Sequence, residues 1–386
     1  MTERAFRRLK GRMERARTRD EEEYGFWITR VFVQSKIENP KSKMRLARHW
    51  RVSLPSAGCV TMAGMRSEAR VLPEPFLDRL RRILPPGRFD ATANTFTELK
   101  PTTLRVNTLN TSAVRVREQL AELGFLCEAV PWYAEAFILR RGRLRELQTT
   151  PLYASGALYV QSLSSMLPPL VLQPQPGESV LDLTAAPGSK TTQLACLMGN
   201  AGRIVANDNN LVRWYKLKAN VEQQGATMVE VSLRYGETFG RQHPAEFDRV
   251  LVDAPCSAEG RFLIHEPASF RFWKPAKVHE MAHKQQRLLR AGLEALRPGG
   301  VLVYSTCTFA PEENEGVVSS ALASCGPDVS LEPIPFALTN RMPGLARWED
   351  RTFHPSIGRT MRVLPTRDME GFFIARFRKQ LASREA

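Results

Sequence analysis

The sequence predicts an α/β fold in which a doubly wound parallel sheet follows a small α+β domain. Three observations carry this. From about residue 151, apolar strands alternate with helices of ordinary length. Between residues 66 and 150 the elements are shorter and mixed in type. The composition, 43% hydrophobic and 25% charged over 386 residues, is that of a globular chain able to bury a core. The expected divisions are a basic extension over 1–65, a small α+β domain over 66–150, the doubly wound domain over 151–379, and a tail over 380–386.

Taken in order, MTERAFRRLKGRMERARTRDEEEYGF opens on an arginine run and then an acidic cluster, and no fold is expected over 1–65. Three readings of that segment stay open: an RNA-binding arm, a transit peptide, or an upstream start preceding Met62 or Met65. PEPFLDRLRRILPP has helical apolar spacing and a proline stop. TTLRVNTL reads as a strand, SAVRVREQLAELGF as a helix ended by Gly124, and AFILR as a strand. Arg105, Arg115, Arg117, Arg140, Arg141, Arg143 and Arg145 are scattered over this unit. Small α+β modules often bind RNA through strand faces and basic loops; a passive basic docking domain fits the composition equally.

Beyond residue 151, SVLDLT, GRIVAND, MVEVSL, FDRVLVDAP and GGVLVYSTCTF read as five strands. The helices between them are TTQLACLMG, NLVRWYKLKANVEQQG and KVHEMAHKQQRLLRAGLEAL. Ligands of such sheets gather at the carboxyl ends of the strands. GFFIARFRK reads as an added edge strand.

The net charge is +15, of which residues 1–65 supply +8. A polyanionic partner, most simply nucleic acid, is the expectation, against a basic surface kept for solubility. No apolar run is long enough to span a membrane, and no signal-peptide core follows Met1, so a cytoplasmic protein without a membrane partner is expected. The six cysteines include no CxxC pair and the six histidines no HExxH set, which argues against disulfide and metal chemistry. A monomer is expected.

Two places carry chemistry. In VLDLTAAPGSKTTQ, small residues after the first strand of the domain let a ligand approach the backbone, and the next helix offers free N–H groups. The loop is neither GxGxxG nor GxxxxGK[ST], so dinucleotide and nucleoside-triphosphate readings lose their main support. Asp208, closing the next strand, suits a ribose diol, and the two features together favour an adenosine-containing cofactor. The second place is a pair of strand ends, Asp253-Ala254-Pro255-Cys256 and Ser305-Thr306-Cys307. A parallel sheet brings both thiols to the end that holds the AAPGSK loop. A lone strand cysteine is usually packing; two beside an aspartate and a cofactor loop are harder to explain so.

DLTAAPGSKTTQLA, DAPCSAEG and YSTCTFAPEENE resemble successive motifs of the NOP/Sun family of RNA cytosine-C5 methyltransferases. LRVNTLN, GALYVQSLSSMLPPLVL and EGFFIA resemble further family segments, so the likeness runs from about residue 70 to 378. It implies a Rossmann-like class I methyltransferase sheet, S-adenosyl-L-methionine as cofactor, and RNA as partner, with rRNA favoured over tRNA. It further implies that Cys307 is the nucleophile and Cys256 the residue that assists product release. Asp253 then meets the N3/N4 edge of cytosine and borders the cofactor, as a proton donor whose pKa a closed site would raise. Cofactor contacts are implied for Thr184, Ala185, Ala186, Pro187, Gly188, Ser189, Lys190, Asp208, Arg213, Tyr235 and Asp253. Lys190 reads equally as the charge that tunes a thiol and as a cofactor or phosphate contact. Tyr235-Gly236 stands where the family has Asp-Gly, and Thr184 where many members have Cys. A non-catalytic RNA-binding or ribosome-assembly protein keeping the fold is the alternative. A methyltransferase of exocyclic amines needs an Asn- or Asp-Pro-Pro-aromatic motif, which DAPC is not.

Overall fold

A computed structural model describes residues 71–381; the readings made for residues 1–65 lie outside them. Helices α1 (Glu74–Ile83) and α2 (Phe89–Asn94) come first. Then follow β1 (Thr103–Val106), α3 (Ala113–Glu122), β2 (Leu126–Val130), β3 (Tyr133–Arg141), α4 (Leu144–Gln148), α5 (Pro151–Ala154) and β4 (Leu158–Val160). The four strands form one antiparallel-paired sheet in the order β2-β3-β1-β4. Gly124, at φ +81°, lets the chain leave α3 and turn into β2, a strand the sequence reading did not register.

This small sheet has its own core, with Leu104, Val106, Leu120, Phe137 and Leu158 buried together. Its other apolar residues, Val130, Tyr133, Ala136 and Ile138, pack into the same cluster as Val180, Leu194 and Ile204 of the larger sheet. The α1 stripe Phe76, Leu80 and Ile83 lies in a cluster with Leu181, Val250 and Leu302, so α1 covers the larger sheet rather than the smaller one. Arg105 is wholly buried, donating to Gln161 and Thr192, and is therefore absent from the basic surface on which the sequence had placed it.

The larger unit runs α6 (Leu163–Leu172), β5 (Ser179–Asp182), α7 (Ser189–Leu197), β6 (Arg203–Asp208), α8 (Leu211–Gln223), β7 (Val229–Leu233), α9 (Phe239–Gln242) and β8 (Phe247–Asp253). After a long loop come α10 (Pro275–Ala295), β9 (Leu296–Thr306), α11 (Glu315–Cys325), β10 (Val329–Leu331), β11 (Arg341–Pro343), the short pair β12 (Arg347–Trp348) and β13 (Arg351–Thr352), β14 (Met361–Val363) and β15 (Phe372–Lys379). The sheet order is β11-β14-β15-β9-β8-β5-β6-β7, with β10 also paired to β15. The five strands expected from the alternating pattern, β5 to β9, are mutually parallel.

The expected edge position of GFFIARFRK is corrected. β15 lies inside the sheet, antiparallel to β9 on one side and paired with β14 and β10 on the other. Its first six residues are all buried, because both faces as well as both edges are covered. An edge strand facing water on one side would alternate; FFIARF does not.

Candidate active site

The parallel strands end together, and the loops leaving them build one site. After Asp182 the chain turns through Thr184 to Gly188; Gly188, at φ +108°, directs it into α7. The turn is fixed by the Ala185 N–H, which donates to the Asn207 carbonyl, and by Thr184 Oγ1, which donates to the Asp253 carbonyl at 2.8 Å. A cavity of about 400 Å³ opens over this loop, within the range of small-molecule sites. Thr184, Ala185, Ala186, Pro187, Ser189, Lys190, Arg213, Asp253 and Cys307 line it, joined by Tyr159, Gln161 and Ser162 from the β4 end and by Glu370 and Phe372 from the β15 end.

Of the residues expected at the site, most meet here. Cys256 Sγ stands 3.3 Å from Cys307 Sγ although 51 residues separate them. Asp253 Oδ2 accepts from Lys190 Nζ at 2.7 Å, and its Oδ1 accepts from Ser305 Oγ at 2.7 Å. Lys190 also donates to Ser165 Oγ at 2.7 Å, so its ammonium is engaged between the aspartate and the small helix α6. Arg213 donates to the Ala186 carbonyl at 2.6 Å and lies 3.3 Å from Asp208 Oδ2. Asp208 itself is buried beside the cavity rather than in its wall. Tyr235 is 70% exposed and outside that wall.

The hydrogen bond shared with Cys307, and then burial, push the Cys256 thiol well above the ordinary range. Asp182 is pushed up to about 7 by burial, although Thr191 donates to its Oδ2; its Oδ1 is buried without a partner at the cavity wall.

Behind the cysteines lies a polar network. Glu313 Oε2 accepts from the Ser257 N–H at 3.0 Å and from Gln285 Nε2 at 2.7 Å, and the same Gln285 nitrogen donates to the Pro255 carbonyl. Ser257 Oγ bonds Thr308 Oγ1, which donates to Glu259 Oε2; Trp273 Nε1 donates to Glu259 Oε1. The loops after β8 and β9 are thereby tied residue to residue, 256 beside 307 and 257 beside 308. Burial holds Glu313 up at about 8.

Comparison with known proteins follows this geometry. Residues 169–378 match the model of the 16S rRNA methyltransferase RsmB/F family, and residues 72–163 that of the N-terminal domain of 16S rRNA methyltransferase RsmF. A tRNA (cytosine(49)-C(5))-methyltransferase of Pyrococcus abyssi is 40% identical over 289 residues, which is 73% of this chain and 88% of that protein. The chain belongs to the RsmB/F family. A ribosomal RNA small subunit methyltransferase F of Serratia proteamaculans is 38% identical over 80% of this chain, but the chain spans only 63% of that relative's length. Among solved structures, a methyltransferase homologue from Pyrococcus horikoshii superposes with a TM-score of 0.68 at 36% identity, covering 80% of this chain and all of that one. The Rossmann-like sheet read from the sequence is therefore that of this family, a family of RNA cytosine-C5 methyltransferases.

Sequence reading missed Asp182, Ser165, Gln161, Arg261, Glu370 and Phe372 as parts of the RsmB/F-type cavity, and Glu313 and Gln285 behind it. Several stand in segments whose likeness to the family was already visible, SLSSM and EGFF, but no local chemistry marked them. Asp182 closes a buried strand, and a carboxylate there was a usable signal.

No helix among the described residues is long and apolar enough to cross a membrane, and no group of three or more His, Cys, Asp or Glu among them could hold a metal ion.

Proposed function

We propose that this protein methylates C5 of cytosine in RNA, using S-adenosyl-L-methionine and a transient bond between Cys307 Sγ and C6 of the base. The observation that carries the reading is Cys307 on the wall of a cavity over the TAAPGSK loop, with the Lys190–Asp253 pair on the same wall and the Cys256 sulfur 3.3 Å from that of Cys307.

The residues fit the cofactor. Asp182 Oδ1, buried and unpartnered at the cavity wall, is an acceptor suited to the cofactor's ammonium, and the first N–H groups of α7 suit its carboxylate. Arg213 on the wall, with Asp208 buried 3.3 Å behind it, supports a ribose contact. Bound there, S-adenosylmethionine supplies an electrophilic methyl group. Everything else falls to the chain. C5 of cytosine is a poor nucleophile until a thiolate adds at C6 and moves electron density onto C5. Cys256, whose thiol is held up, is the one of the pair that keeps its proton, and Cys307, after giving its proton to solvent, is the sulfur that attacks. Both oxygens of Asp253 accept hydrogen bonds, so the proton that N3 takes during attack comes through the Lys190–Asp253 pair rather than from a free carboxylic acid. After methylation a base takes the C5 proton, and the C6–sulfur bond breaks with its electron pair left on the Cys307 sulfur. N3 returns its proton through the Lys190–Asp253 pair, with the Cys256 thiol assisting release by its hydrogen bond to the departing sulfur. The target base must be extruded to reach a cavity this deep, which single-stranded or loop RNA allows most cheaply.

The relatives' names include one ribosomal and one transfer RNA substrate, and ribosomal RNA is the first to be tested. Radiolabelled methyl transfer to cytosine in each RNA tests the reaction, with bisulfite sequencing locating the base. Cys307→Ala is expected to abolish transfer while keeping cofactor binding by calorimetry; full activity in that variant overturns the nucleophile.

A further inference from the structure

The cavity wall holds three cations, and two are committed. Lys190 donates to Asp253 and Ser165. Arg213 donates to the Ala186 carbonyl. The third, Arg261, makes one ion pair, with Glu370 Oε1 at 3.6 Å, which is too long for a hydrogen bond, and its side chain is 62% exposed.

Its backbone, by contrast, is held tightly. The Gly260 N–H donates to the Cys307 carbonyl at 2.9 Å, and the Gly260 carbonyl accepts from the Gly371 N–H at 3.2 Å. A side chain at Gly260 would strike both the Gly371 and Cys307 carbonyl oxygens. Arg261 therefore rises from a fixed turn at the rim, close enough to feel the Glu370 carboxylate first and then Cys307, Cys256 and Asp253. A guanidinium with five donors and one loose partner is built to exchange that partner for an oxyanion it can grip with two hydrogen bonds. The nucleotide entering the cavity brings one: its own phosphate.

We propose that Arg261 is the phosphate clamp for the extruded nucleotide, held open by Glu370 until RNA displaces it. The proposal rests on the RNA-methylating reading above. Its steps are an exchange of ion pairs, with no covalent change.

Steady-state methyl transfer to RNA decides it, with cofactor binding measured separately by calorimetry. Arg261→Gln is expected to raise KM for RNA about 10-fold, the loss of one charge-assisted contact, with kcat falling far less. The slope of log(kcat/KM) against log salt should become shallower by about 0.7, one phosphate contact to a single strand. Arg261→Lys keeps that slope with an intermediate KM. Glu370→Gln, which frees the guanidinium, gives a KM at or below wild type. Wild-type KM and slope in Arg261→Gln overturn the clamp. So does a loss confined to kcat with a displaced pH profile, which would assign the guanidinium to the thiols, or weakened cofactor binding, which would assign it to the cofactor. If the wild-type chain methylates no RNA cytosine, the parent reading fails instead. Fluorescence anisotropy with labelled ribosomal RNA then tests the clamp alone, and equal affinity in both chains ends it.

Discussion

At the scale of single residues, two sulfur atoms stand 3.3 Å apart, and the proposed reaction divides one task between them. Pro255-Cys256 and Thr306-Cys307 look alike in sequence, each a thiol closing an apolar strand, and composition alone does not say which attacks. Their surroundings support the proposed division. The hydrogen bond to Cys307, desolvation of the sulfur and the nearby Glu313 carboxylate all favour a proton on Cys256. Cys307 opens on the cavity. Replacing Cys256 by Ala should leave attack and methylation intact but stall release, so that a covalent protein–RNA species persists on a denaturing gel. Normal turnover without that species would count against the division of roles. Much of this was legible before any coordinates: the strand-end thiols, Asp253 and the AAPGSK loop all lie where their motifs suggested. Glu313 was not, because a glutamate in PEENE carries no mark of burial; only its place opposite Ser257 shows what it does.

Among the elements, the loop after β8 is the one whose geometry the chemistry depends on. Its turn packs Gly260 so closely against the carbonyls of Gly371 and Cys307 that a Cβ would come within 2.2 Å of the first and 3.0 Å of the second. Both neighbours are backbone, so neither can swing aside. Gly260→Ala should cost about 1–3 kcal/mol in a denaturant titration and depress methyl transfer further than the stability loss explains, since relief requires Cys307 to move. Gly358→Ala, with nothing within 4 Å, is the matched control. Equal behaviour of the two variants would show that the turn is slack. Strand periodicity anticipated β5 to β9 well because β5, β6, β8 and β9 carry apolar runs and β7, VEVSL, alternates. It placed β15 at an edge, since a run such as FFIARF says that a strand is covered without saying by what. β10, β11 and β14 escaped notice because each has only three residues.

For the molecule as a whole, two buried carboxyls link the site to stability. Asp182 is raised from 3.8 to about 7 and Glu313 from 4.5 to about 8, each mainly by burial. The folded chain thus keeps protons that the unfolded chain has released, so stability falls as pH rises from the ordinary carboxylate range, and the loss is complete only above about 8. Calorimetric melts between pH 5 and 9 should show this decline, and Glu313→Gln should flatten it while melting near wild type at pH 5; superimposed slopes would mean that Glu313 does not titrate as described. The basic balance, by contrast, was the least informative whole-chain property, because an arginine such as Arg105 counts toward it while buried away from any partner. The position of β15 also has a temporal consequence. Glu370 and Phe372 close the cavity at the start of β15, which pairs with β9 just before Cys307. Synthesis makes positions 256 and 307 before 370 and 372, so a growing chain holds both thiols before it has the residues that finish the chamber around them.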